Sequence, residues 1–266
     1  MEHKGPKKSR ADRGQVETFT LELSGVEFDG EPDATGGEML RLRTSLGDIR
    51  CRLHRAERNA GKAVTWMFGA GGGLGGPAGG IYERLGSQLC RRGVTSLQVD
   101  YRHPAHLQRC ILDILAAVSF LEGFDLALPG GTVLVGHSFG GSVAISAGAI
   151  HPGVAGVAAL SSQTFGTERG SQISPRPLLL IHGEADEVLP DDCSRDIYRR
   201  ALEPKELILY RDCRHGLDQC VPELDRDITA WIERVLRVQP ATTSLPAGSA
   251  RSAPQFGTRY ALSAVG

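Results

Sequence analysis

From Ala63 onward the chain alternates short apolar runs with stretches whose apolar residues recur every three or four positions. No other feature restricts the possible folds as much. Ala63–Phe68, Val94–Val99, Val133–Val135, Val154–Leu160, Leu178–Ile181 and Glu206–Tyr210 read as strands. Most are apolar along their whole length, the pattern of a strand covered on both faces. Between them Ile81–Arg92 reads as a helix stopped by Gly93, and Leu107, Cys110, Ile111, Ile114, Leu115, Val118 and Leu121 mark a second helical face. Phe139–Ile150 is a Gly- and Ala-rich helix able to lie close to a sheet, and Leu224, Ile228, Trp231, Ile232, Val235 and Leu236 stripe the last one. Such alternation predicts a mainly parallel sheet with helices on both faces. Upstream, Thr18–Leu23 alternates polar and apolar, and Met39–Arg43 and Ile49–Leu53 follow a turn-rich stretch as a further pair of strands. There is no internal repeat and no second domain, so residues 16–238 are expected to form one domain. Residues 1–15 and the tail Gln239–Gly266 lack periodicity and are expected to be disordered.

At the centre of the pattern, Val133–Val135 runs into Gly136-His137-Ser138-Phe139-Gly140 and straight on into a helix. A turn this tight forces Ser138 into a strained backbone conformation, and a Cβ at Gly136 or Gly140 would collide with the neighbouring strand and helix. The turn lifts the hydroxyl clear of the sheet and over a helix N-terminus, where backbone N–H groups favour negative charge. Two later loops carry partners for it. Asp186 follows the strand Leu178–Ile181, and His215 follows the strand ending at Tyr210. Both therefore sit at the carboxyl edge of the sheet, where ligands of open α/β sheets gather. Singly, Asp186 reads equally well as a turn or cap residue and His215 as a solvated loop histidine.

Their combination is more specific. Ser138 in G-x-S-x-G, Asp186 in H-G-E-A-D-E-V-L-P and His215 in R-H-G-L occur in the order Ser, Asp, His, each after a separate strand. In this the sequence resembles the α/β-hydrolase superfamily over roughly residues 60 to 237, and within it compact dienelactone-hydrolase-like proteins without a large cap. The resemblance implies an eight-stranded, mostly parallel α/β-hydrolase sheet and a catalytic triad of Ser138, His215 and Asp186. It implies nucleophilic acyl transfer with an oxyanion hole formed by the backbone N–H groups of Phe139 and Ala70. The expected activity is that of a serine esterase, hydrolysing a carboxylic ester or thioester. Peptidases and acyltransferases share the triad, and some proteins of this fold are non-catalytic small-molecule binders, so these alternatives stay open. The chain departs from the pattern at Phe68-Gly69, where many relatives have His-Gly; Gly69-Ala70-Gly71-Gly72 keeps the backbone donor but lacks that anchoring histidine. The connection Ser161–Arg176, where a cap is often inserted, is short and holds no apolar helix, which predicts an open site.

The remaining features exclude more than they assign. The glycine loop after Phe68 lacks the Gly-Lys-Ser/Thr ending of a phosphate cradle and does not fit a dinucleotide fingerprint. A net charge of −1 gives no reason to expect a nucleic-acid partner, and no apolar run is long enough to span a bilayer. The N-terminal residues are polar, without the apolar stretch of a secretion signal. The six cysteines show neither a paired framework nor metal spacing, which points to a reduced, cytoplasmic protein needing no metal or organic cofactor. The partner expected is a small-molecule acyl substrate. Among other histidines, His137 is expected to pack beside the turn and His182 to be structural. His103 and His106 line the mouth of the site or simply precede a helix.

Overall fold

The polypeptide winds six strands side by side in parallel, β4 (Lys62–Met67), β5 (Val94–Asp100), β6 (Thr132–His137), β7 (Val154–Leu160), β8 (Leu178–Gly183) and β9 (Lys205–Tyr210). A computed structural model describes residues 20–58 and 60–238 and the backbone of 17–19 and 259–264. The expected lead, residues 1–15, lies outside the described residues, as does the tail apart from that last segment. Four antiparallel strands extend the sheet on the β5 side: β1 (Glu17–Phe28), β2 (Glu38–Thr44), β3 (Ile49–His54) and β10 (Arg259–Ala264). The order across the sheet is β10-β1-β2-β3-β5-β4-β6-β7-β8-β9.

The sheet thus has ten strands rather than the eight expected. The three amino-terminal strands stand where the sequence places strands, and the strand not foreseen is β10, which pairs with β1 from Glu17↔Ala264 to Glu22↔Arg259. This strand falls inside the tail that was expected to be disordered. Its pairing partner is more than two hundred residues away, so no local pattern announces it.

Alternation along the parallel strands feeds two separate cores. In β6, Val133 and Val135 face one side with Val64, Trp66 and the helices α1 (Pro77–Cys90) and α5 (Val221–Leu236). Leu134 faces the other side with α2 (Leu107–Gly123), α3 (Phe139–Ile150) and α4 (Asp192–Arg200). Leu178 and Leu180 against Leu179 and Ile181 in β8 repeat the division, as a period of two requires.

The chain steps from β4 outward to β5 and then returns to the opposite side of β4 for β6. At such a reversal the loops leaving two neighbouring strands part in opposite directions and open a crevice at their carboxyl ends. The loop after β4 begins at Phe68, and β6 ends at His137, immediately before Ser138. The parallel pairing Met67↔Gly136 sets these two loops beside each other. Between β7 and β8 the chain makes one short 3-10 turn, Gly170–Ile173, and no cap domain. No helix among the described residues is long and apolar enough to cross a membrane.

Candidate active site

Ser138 has φ 58° and ψ −122°, a conformation that residues other than glycine rarely adopt. Strain of this kind costs of order 1–3 kcal/mol and persists only where packing over-determines it. The determinants are visible. Ser138 N–H donates to Leu160 O on β7 at 2.8 Å. A Cβ on Gly136 would overlap the carbonyl of Gly140, and one on Gly140 would overlap the carbonyl oxygens of Phe68 and Met67. The two glycines let the turn press against itself and against the end of β4. Phe139 opens α3, so its N–H belongs to the first helical turn, which has no intrahelical acceptor.

Asp186 and His215, expected in two other loops, are brought to Ser138. His215 Nδ1 lies 2.7 Å from Asp186 Oδ2, and His215 Nε2 lies 3.0 Å from Ser138 Oγ. A carboxylate only accepts, so Nδ1 carries the proton and Nε2 is left to accept from the serine hydroxyl. Burial pushes Asp186 up, but the Leu189 N–H, the His215 imidazole and the Val188 N–H outweigh it, and its pKa ends below the ordinary carboxylate value. Asp186 Oδ1 accepts both backbone bonds at 2.8 Å, leaving Oδ2 free for the imidazole. The carboxylate is fully buried while the imidazole is 15 % exposed.

His215 is held by more than the carboxylate. Its carbonyl accepts from His137 Nε2–H at 2.8 Å. The following Gly216 carbonyl accepts from Ala78 N–H at 2.7 Å, and Asp218 Oδ1 accepts from Gly79 N–H at 3.0 Å. Both N–H groups lie in the first turn of α1, where they have no intrahelical acceptor, and positive φ at Ala78, Gly79 and Gly80 breaks that turn. The same loop is closed by a disulfide between Cys213 and Cys220, with Cα atoms 6.0 Å apart. This corrects the expectation of six unpaired cysteines. The two residues are brought to bonding distance by the turn between them, which their separation in sequence does not reveal. It also removes the ground on which a reducing compartment was expected. Cys51, Cys90, Cys110 and Cys193 are free.

Known proteins supply few sequence parallels and many structural ones. The chain matches no family model. It is 53% identical over 45 residues to a protein of Escherichia coli (strain K12) described as "Uncharacterized protein YfhR", a match spanning 17% of this chain and 16% of that one. Superposition on solved structures is broader. Dienelactone hydrolase from Anabaena variabilis ATCC 29413 superposes with a TM-score of 0.61 at 15% identity, covering 71% of this chain and 93% of that one. The whole of Est1E from Butyrivibrio proteoclasticus is covered by 80% of this chain, with a TM-score of 0.60 and 16% identity. Acetyl xylan esterase 1 from Thermoanaerobacterium sp. JW/SL YS485 gives 0.60 at 13%, over 78% of this chain and 87% of that one. The chain has the α/β-hydrolase fold.

On this α/β-hydrolase fold the loop after β4 passes directly over Ser138. A Cβ on Gly69 would stand 3.6 Å from Ser138 Cβ and 3.9 Å from its Oγ. Ala70, the next residue, is exposed. Phe68 fills the position of the missing histidine with a ring tilted against His137 at 5.5 Å and edge-on to Tyr82 at 6.3 Å. The carbonyls before the loop are held from elsewhere: Tyr82 O–H donates to Met67 O at 2.9 Å and Tyr101 O–H to Phe68 O at 3.2 Å. Neither tyrosine carries a sequence signal beyond Tyr101 standing at the carboxyl end of a strand.

The other histidines divide. His137 packs beside the turn as expected, with burial pulling its pKa down to about 4. His182 does more than was expected of a structural residue. It is fully buried, its Nδ1 accepts from Ser194 O–H at 2.7 Å, and its Nε2–H donates to Leu189 O at 3.1 Å. The same nitrogen stands 3.1 Å from Asp186 Oδ2, which braces the acid from behind. The spacing of four residues between His182 and Asp186 was the available signal. His103 is exposed with a carbonyl that accepts from His106 N–H, and His106 stands at the N-cap position of α2, in keeping with the simpler of their two readings.

Proposed function

We propose that the protein is a serine hydrolase that cleaves a carboxylic ester or thioester through an acyl-enzyme on Ser138. The observation that carries this is the unbroken line from Ser138 Oγ through His215 to Asp186 Oδ2, at 3.0 and 2.7 Å. A serine hydroxyl is a poor nucleophile at neutral pH and needs a base within hydrogen-bond reach. His215 takes the Ser138 proton as Oγ attacks the acyl carbon. Asp186 fixes the imidazole tautomer and stabilises the imidazolium that forms. The negative charge on the former carbonyl oxygen is met by the N–H groups of Phe139 and Ala70, each such donor being worth about 3 kcal/mol of barrier. His215 then passes its proton to the departing alkoxide or thiolate. Water, deprotonated by the same imidazole, releases the acid from Ser138. The esterases and hydrolases among the structural neighbours support the class, and the short loop between β7 and β8 suits a small acyl substrate in an open site.

The test is a stopped-flow assay with p-nitrophenyl acetate on the natural protein and Ser138→Ala. A burst of nitrophenol that the variant lacks is the expected result. Equal slow release by both proteins, together with no fluorophosphonate labelling of Ser138, would overturn the proposal.

A further inference from the structure

Resting on that reading of the site, we infer that Tyr101, with Asp100 beside it, is the positioning residue that holds the oxyanion loop in register with Ser138 in place of the absent histidine. The need for such a residue follows from the loop itself. Phe68 to Gly73 contains four glycines, the least restrained of residues, and Phe68 offers only a hydrocarbon ring. A donor aimed at a developing charge must nevertheless be fixed, since a misplacement of about 1 Å can cost a hundredfold in rate.

The last residue of β5 and the one after it grip the loop at both ends. Tyr101 O–H donates to Phe68 O at 3.2 Å at the start, and Asp100 Oδ1 accepts from Gly73 N–H at 2.6 Å at the finish. Between these points the loop closes on itself through Gly72 N–H to Gly69 O at 3.0 Å. Asp100 is itself clamped, its second oxygen accepting from Arg50 Nε at 3.1 Å and Nη2 at 2.6 Å. Tyr101 also reaches the other donor. Its ring stands edge-on to that of Phe139, with centroids 6.1 Å apart. One side chain therefore contacts the residue two before Ala70 and the residue that carries the second N–H. It is 5 % exposed, and burial raises its phenol well above the ordinary value, so it remains a proton donor across the working range of pH. Tyr82 holds the Met67 carbonyl, one residue before the loop begins, and touches the loop itself only through the Phe68 ring among the residues Phe68 to Gly73.

The experiment compares Tyr101→Phe, Asp100→Ala and Asp100→Asn with the natural protein. Tyr101→Phe keeps the ring and its packing and removes only the hydroxyl. The expected result is a kcat lower by about 10- to 100-fold with KM within about twofold, because the loss falls on the transition state. Affinity for a short alkyl trifluoromethyl ketone, which adds to Ser138 and bears the oxyanion, falls in parallel, while acetate binds as before. The pH profile keeps its shape, since Asp186 and His215 are untouched. Asp100→Ala lowers kcat similarly, and Asp100→Asn, whose amide oxygen can still accept from Gly73, recovers part of the loss. Natural rates in Tyr101→Phe, or equal losses for ketone and acetate, would overturn the inference while leaving the serine mechanism standing. Absence of Ser138-dependent acylation in the natural protein would overturn both.

Discussion

His137 makes the stability of this protein depend on pH in a calculable way. Its ring is 4 % exposed, its Nε2–H is spent on the His215 carbonyl, and its Nδ1 is buried without a partner. A proton added at Nδ1 would charge a buried ring whose centroid lies 5.5 Å from that of Phe68 and 4.9 Å from that of His215. Burial is the main cause of the fall from 6.5 to about 4; the bond to the His215 carbonyl and the Asp186 charge oppose it, and the His215 and His182 imidazoles add to it. Between these two values the unfolded chain binds the proton and the folded chain does not. Stability is therefore full above pH 6.5, falls as the pH drops towards 4, and levels off below. With one pKa unit worth 1.36 kcal/mol, the loss from this residue is about 2 kcal/mol at pH 5 and about 3 kcal/mol at pH 4. His137→Gln keeps a side-chain donor near the position of Nε2 and cannot be protonated. Urea unfolding of both proteins at pH 7, 5 and 4 isolates the effect, because the two proteins differ only at position 137. The natural protein should lose about 3 kcal/mol more than the variant between pH 7 and pH 4. Equal losses would show that His137 is hydrated or partnered in solution, and the reasoning would fail.

Gly140→Ala tests the close approach at the turn. The added methyl would overlap the Phe68 and Met67 carbonyl oxygens, backbone atoms that cannot rotate away. A loss of about 3 kcal/mol in urea unfolding is expected, and a change under about 0.5 kcal/mol would refute the packing described. The Cys213–Cys220 bond predicts that four of the six cysteines alkylate in the denatured, unreduced protein and all six after reduction. Six alkylated residues before reduction would exclude it.

How much of this was legible in the sequence depends on where each side chain meets its partner. The strands β4 to β8 are readable because burial on both faces leaves nearly unbroken apolar runs, as in Leu178-Leu179-Leu180-Ile181. Helix α5 is readable because Leu224, Ile228, Trp231 and Ile232 keep helical spacing. Helix α4 is not, since only Ser194 and Ile197 of its nine residues are buried and no stripe forms. The full length of β1 is hidden by the irregularity between Leu23 and Gly25, where glycine reads as a break. Ser138, Asp186 and His215 stand out because each follows an apolar run at the same sheet edge. Tyr82, Tyr101 and Asp100 do not, because they bond to backbone groups of another segment. Any residue can present a carbonyl, so such a bond imposes no pattern on the sequence around it.

The order of strands in the sheet carries a consequence for the making of the protein. The residues gathered around Ser138 come from the ends of β4, β5, β6, β8 and β9, and the last of them, His215, is reached 77 positions after the serine. Parallel pairing of this kind forms only after long connections have closed, which makes it slow and late. A chain still emerging from the ribosome, or one stalled before β9 has docked, already carries the strained serine but has no imidazole to meet it. On the proposed reading, the crevice can act only once β9 has docked, so reactivity at Ser138 would report that this half of the sheet has formed, whether or not β10 has yet paired at the other edge.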